Sequence, residues 1–138
     1  MKTAFQNASG FHLIEILLTI AMAGIIAALS LPLYSQYMVQ ARRAEAAGML
    51  ARLAVAMEQF HIEHNSYAGA TLSDLKFPDV IARNSYHLAI QQTSVGEYQL
   101  RAIPLGKQAQ DDQRCAALIL YSSAQKGVSG PGSVSECW

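Results

Sequence analysis

The chain has 138 residues, room for one modest domain. Lys plus Arg and Asp plus Glu number 10 each, so it lacks the basic surplus expected of a dedicated nucleic-acid binder. Only 14% of residues are charged and 51% are hydrophobic, with the apolar excess gathered between Ile16 and Tyr34.

After a short polar start, MKTAFQNASG, the run Ile16–Tyr34 contains no charged residue. At a rise of about 1.5 Å per residue it spans roughly 28 Å, close to the hydrocarbon thickness of a bilayer. A transmembrane helix fits better than a cleaved secretory signal. The run is too long, no A-x-A site follows promptly, and Glu15 stands at its entrance. An acidic residue at mid-helix in lipid costs about 2.5–3.5 kcal/mol. Either Glu15 stays wet at the interface, or it finds a cation. A cut before Phe11 would supply one, because the new α-amino group lies one helical turn from Glu15 and could pair with it between neighbouring copies.

Gly10, Phe11 and Glu15, followed by the charge-free run, resemble the class III signal of type IV pilins and the related pseudopilins. The resemblance implies cleavage after Gly10 by a prepilin peptidase, N-methylation of Phe11 by the same peptidase/methylase, and an assembly role for Glu15. It divides the chain into a leader (1–10), a transmembrane and filament-core helix (11–35) and an exported globular domain (36–138). It places the leader in the bacterial cytoplasm, although Arg42 and Arg43 beyond the helix would reverse a simple positive-inside count. The globular domain is then periplasmic before assembly and extracellular in the fibre. Implied partners are other pilin subunits through the N-terminal helix and the inner-membrane assembly platform. Gly24 lowers helix propensity by about 1 kcal/mol, and Pro32 removes a backbone donor. In similar pilins this pair marks where the helix bends or partly melts in the filament.

The helix continues to about Asn65. Ala46, Leu50, Leu53, Met57 and Phe60 recur at spacings of four and three and form the core face of an amphipathic segment. Residues 66–85 read as loop with at most a short helical turn. Tyr86, Leu88 and Ile90 share one strand face, and Tyr98, Leu100 and Ala102 share another, with Gly96 in the turn between. Arg114–Tyr121 reads as a third, buried strand. The expected fold is α+β, a long N-terminal helix packed on a small antiparallel sheet.

The turn-rich tail ends in Cys137. With Cys115 it allows one bridge, favoured in a domain exported to an oxidising space and contributing roughly 3 kcal/mol in the chain-entropy model. The bridged tail resembles the disulfide-bounded C-terminal region of type IV pilins, most of all the PilE-type minor pilins.

His61 and His64 with Glu58 and Glu63 suggest a metal only weakly, and a polar helix end explains them as well. Asp111-Asp112 reads as solvated loop rather than a calcium site. No nucleophile–base pair and no phosphate-binding Gly loop occur, so neither an enzyme nor a cofactor is expected. The leading expectation is a structural subunit, a minor pilin, supporting pilus biogenesis, adhesion, twitching motility or DNA uptake. One alternative is a pilin-like receptor for DNA or a host surface, which would need a basic or aromatic patch on the sheet and its loops. The other is a pseudopilin of type II secretion.

Overall fold

The computed structural model describes residues 12–94 and 96–138, so the expected Gly10–Phe11 junction lies outside the described residues. One helix, α1 (Leu13–His64), runs across two units of the chain, the first ending at Gln36 and the second comprising Tyr37–Trp138.

In the first unit the large apolar side chains of α1 stand in the open. Leu13 is 78% exposed, Ile25 63% and Leu29 65%. A helix with this surface and no covering of its own needs lipid or other protein helices around it, and it is long and apolar enough to cross a membrane. Glu15 lies exposed in the first turn, and Gly24 and Pro32 both fall within the helix.

In the second unit α1 buries the expected stripe. Ala46, Leu50, Leu53 and Met57 are fully buried, and Phe60 is half-buried against the same core. The helix stops at His64 because Asn65 turns left-handed, with φ at 52°, as helix ends commonly do.

The stripe packs on an antiparallel meander of five strands, in the order β1 (Val80–Ile81), β2 (Tyr86–Ser94), β3 (Glu97–Pro104), β4 (Leu118–Tyr121) and β5 (Lys126–Val128). Tyr86, Leu88, Tyr98, Leu100, Ala102, Leu118 and Leu120 face the helix and close the core. Gly96 occupies the β2–β3 turn as expected, with φ at +87°. A short helix, α2 (Gly106–Asp111), joins β3 to β4, and α3 (Val134–Cys137) ends the chain.

The third expected strand is shorter than its apolar run. Residues 113–115 form a turn, followed by Ala116, which is left-handed and donates its N–H to the Asp112 carbonyl at 2.8 Å. Cys115 therefore lies in this turn rather than on the strand, and from there it bonds Cys137. The tail is ordered by more than the bridge. Beyond β5, Ser129, Gly130 and Gly132 donate backbone N–H groups to Ala117, Cys115 and Arg114. At Gly130 a Cβ would fall 2.2 Å from the Arg114 carbonyl oxygen, which is backbone and cannot swing aside. Gly130→Ala is expected to destabilise the domain by about 1–3 kcal/mol, as overpacking does. Urea unfolding monitored by circular dichroism measures the loss.

Candidate assembly and nucleic-acid surfaces

The exposed face of α1 in the second unit carries a second stripe. Tyr37, Ala41, Ala44, Gly48, Ala51, Val55 and Ile62 repeat at spacings of four and three, opposite the buried stripe. Small residues at this spacing let another helix approach closely. In the first unit Leu13, Ile14, Leu17, Ile20, Ile25, Leu29 and Leu33 are exposed as well, so α1 offers apolar surface in both units.

Where α1 meets the start of the sheet, a buried polar network fixes the geometry. The Arg43 guanidinium donates twice to Asp112, at 2.9 Å to Oδ2 and 2.6 Å to Oδ1, with the two side chains only 14% and 2% exposed. Tyr86 donates its hydroxyl to Asp112 at 3.2 Å, and the Gln108 amide donates to the Tyr86 hydroxyl and the Val39 carbonyl. Burial pushes the Tyr86 phenol up to about 12, only partly opposed by the Gln108 hydrogen bond. The network ties α2 to α1 and β2. It corrects the expectation of a solvated Asp111-Asp112 loop: Asp111 ends α2 and is exposed, whereas Asp112 is buried and paired.

At the opposite end of the sheet, Glu58 accepts hydrogen bonds from Tyr67 and Tyr98. Burial, followed by the Glu58 carboxylate, raises both phenols. His61 stacks on Tyr67, with ring centroids 4.3 Å apart, and His64 stacks on Phe60. These contacts give both histidines and Glu58 a place in an aromatic helix-end cluster.

The sheet face turned away from α1 bears a different chemistry. Along β3, Tyr98, Leu100 and Ala102 are buried, while Gln99, Arg101 and Ile103 alternate to the other side. The register sets His87 opposite Ile103, Ala89 opposite Arg101 and Gln91 opposite Gln99 on β2, with Ile119 and Tyr121 completing the face on β4. Glu97, at the far end, is the one acidic residue in the five strands. Among the described residues Arg101 makes no ion pair, and its buried Nε has no hydrogen-bond partner.

The near end of the sheet adds two more cations. Ala82, Arg83 and Asn84 are all left-handed, with φ values of 52°, 54° and 62°. Three consecutive non-glycine residues in that region store strain, which the surroundings must hold. The Leu105 N–H donates to the Ser85 carbonyl at 2.8 Å and ties this turn to the start of α2. Arg83 and Lys107 are thereby brought to one end of the sheet, both exposed and, among the described residues, without an acidic partner.

The family model for the type IV minor pilin ComP, DNA uptake sequence receptor, matches residues 32–119. The chain belongs to this family. The chain is also 34% identical over 74 residues to a fimbrial protein of Neisseria meningitidis serogroup B, a match covering 49% of the pilin and 44% of that relative. The pilin thus spans less than half the length of the curated relative it matches. A long N-terminal helix on a five-stranded antiparallel sheet with a C-terminal disulfide is the type IV pilin fold, and membership makes the chain a structural subunit rather than an enzyme.

Of the site residues expected from sequence, Glu15 and Gly24 stand on the open helix, Pro32 lies within its span, and Cys115 and Cys137 are joined. The cations gathered at one end of the pilin's sheet, Arg83 and Lys107, were missed. Equal totals of acid and base concealed them, because composition does not show which charges the fold brings together.

Proposed function

We propose that this pilin is a minor subunit of a type IV pilus that holds duplex DNA on its exported domain for uptake. The match to a DNA uptake sequence receptor family over residues 32–119 is the observation that carries this reading. The exposed, unpaired Arg83 and Lys107 at one end of the sheet support it with the cations a phosphate backbone requires.

The precursor waits in the inner membrane with its leader in the cytoplasm and its globular domain in the periplasm. The prepilin peptidase cuts between Gly10 and Phe11 and methylates Phe11. The inner-membrane platform then moves the subunit into the growing fibre, where the apolar part of α1 exchanges lipid for the helices of other pilins. Glu15 offsets the terminal amine of an adjacent subunit, and Gly24 and Pro32 let the helix yield as it packs.

The DNA reading is tested with the full chain in detergent micelles and a labelled duplex of about 20 bp, followed by fluorescence anisotropy across salt concentrations. Two phosphate contacts predict a slope of log K against log salt of at least about −1.8 in magnitude. Failure to bind at low salt removes the DNA-receptor reading and leaves a purely structural pilin.

A further inference from the structure

One end of the second unit stands close to the apolar run of α1 by covalent connection alone. Val39 comes five residues after Tyr34, the last residue of the charge-free run, and five residues of chain span at most about 18 Å. The Gln108 amide donates to the Val39 carbonyl at 3.2 Å, which seats α2 beside this part of the helix. The bond from the Leu105 N–H to Ser85 brings the 82–85 turn to the same end. A domain borne on a membrane span therefore carries α2 and this turn near the headgroup layer, which adds about 5–7 Å to each side of the hydrocarbon core.

The chemistry of that end suits anionic lipid. Arg83 and Lys107 are exposed and, among the described residues, in no ion pair. Arg42, three residues after Val39, has a buried Nε with no hydrogen-bond partner. Folding does not account for the two exposed cations. Lys107 stands in the first turn of α2, where a positive charge opposes the helix dipole and no acidic residue offsets it. Arg83 is the middle one of three consecutive left-handed residues, a strained conformation of the kind that clusters at functional positions. Apolar and aromatic groups accompany the charges. Leu105, two residues before Lys107, is 36% exposed, and Tyr37 is 66% exposed. Tyrosine beside an apolar span is typical of a membrane interface. Asp111, at the other end of α2, is the opposing charge on that helix, and it forms no ion pair.

We propose that this end of the exported domain docks on anionic phospholipid headgroups while the precursor is held in the bilayer, with Arg83 and Lys107 on the lipid phosphates and Leu105 and Tyr37 at the interface. The inference rests on the membrane-held precursor of the proposed function and adds a lipid contact to it. The attraction is electrostatic, so it weakens as salt shortens the reach of each charge. The same two cations become free for another polyanion only when the subunit leaves the bilayer for the fibre.

The test uses the full chain reconstituted into vesicles of phosphatidylcholine alone or of phosphatidylcholine with phosphatidylglycerol. A membrane-impermeant acylating reagent modifies the lysines of outward-facing domains, and mass spectrometry compares Lys107 with Lys76 in the same molecule. Lys76 lines a groove with Phe60, about 32 Å beyond Val39 along α1, and serves as the internal control. At about 0.1 M salt, phosphatidylglycerol should slow acylation of Lys107 about 5-fold and leave Lys76 unchanged, and about 1 M salt should abolish the protection. Arg83→Gln should move the Lys107 rate toward its value in phosphatidylcholine. Equal Lys107 rates in the two vesicles overturn the headgroup contact, while flotation of the chain with both leaves the membrane-held precursor standing. Protection by inorganic phosphate in phosphatidylcholine vesicles also overturns it, because the site then takes a free anion. A chain that floats with neither vesicle removes the precursor reading and this inference together.

Discussion

Replacing Asp112 with Ala is expected to lower the stability of the globular domain by about 3–5 kcal/mol, measured by urea unfolding. The size follows from what is left behind. Arg43 has only 14% of its side chain exposed and makes both of its short charge-assisted hydrogen bonds to Asp112. Without the carboxylate the guanidinium stays charged in a site that water barely reaches, and Tyr86 and Gln108 lose a common acceptor. Removing both charges at once behaves differently. Arg43→Met combined with Asp112→Leu should recover most of the loss, since an apolar pair of similar volume has no desolvation penalty to offset. A loss below about 1 kcal/mol for Asp112→Ala would contradict the view that this pair holds α2 against α1.

The second large effect concerns assembly. Glu15→Val should leave precursor cleavage intact and reduce incorporation into fibres to near zero. Valine suits a bilayer better than glutamate, so the precursor is held in the membrane at least as well. What it lacks is the carboxylate proposed to meet a neighbour's terminal amine in an apolar core, and an unpaired amine there is strongly disfavoured. Immunoblots of membranes and of sheared fibres separate the two steps. Normal amounts of the variant in fibres would remove the assembly role from Glu15.

The elements with many periods were legible in the sequence. Ala46 to Phe60 repeats long enough at spacings of four and three to fix both the helix and its buried side, and the alternation at Tyr86–Ile90 and Tyr98–Ala102 marks β2 and β3. β1 was not legible because two residues, Val80 and Ile81, cannot show a period. β5 was hidden because Lys126–Gly127–Val128 lies in a Gly- and Ser-rich tail, and its strand character comes from pairing with Leu118–Leu120. Asp112 was misjudged for a related reason. Its partner Arg43 is 69 residues away, and no local pattern announces that a polar pair will be buried. The meeting of Arg83 and Lys107 at one end of the sheet lies beyond composition altogether, because a formal charge of zero says nothing of which charges the fold brings together.

Mass spectrometry of sheared, purified fibres tests most directly whether this chain is an assembled minor pilin. The expected result is a peptide beginning at N-methylated Phe11, present at a small fraction of the main subunit's abundance and lost when Gly10 is replaced by a bulky residue. Absence of the chain from fibres, or its presence there with residues 1–10 still attached, would contradict it.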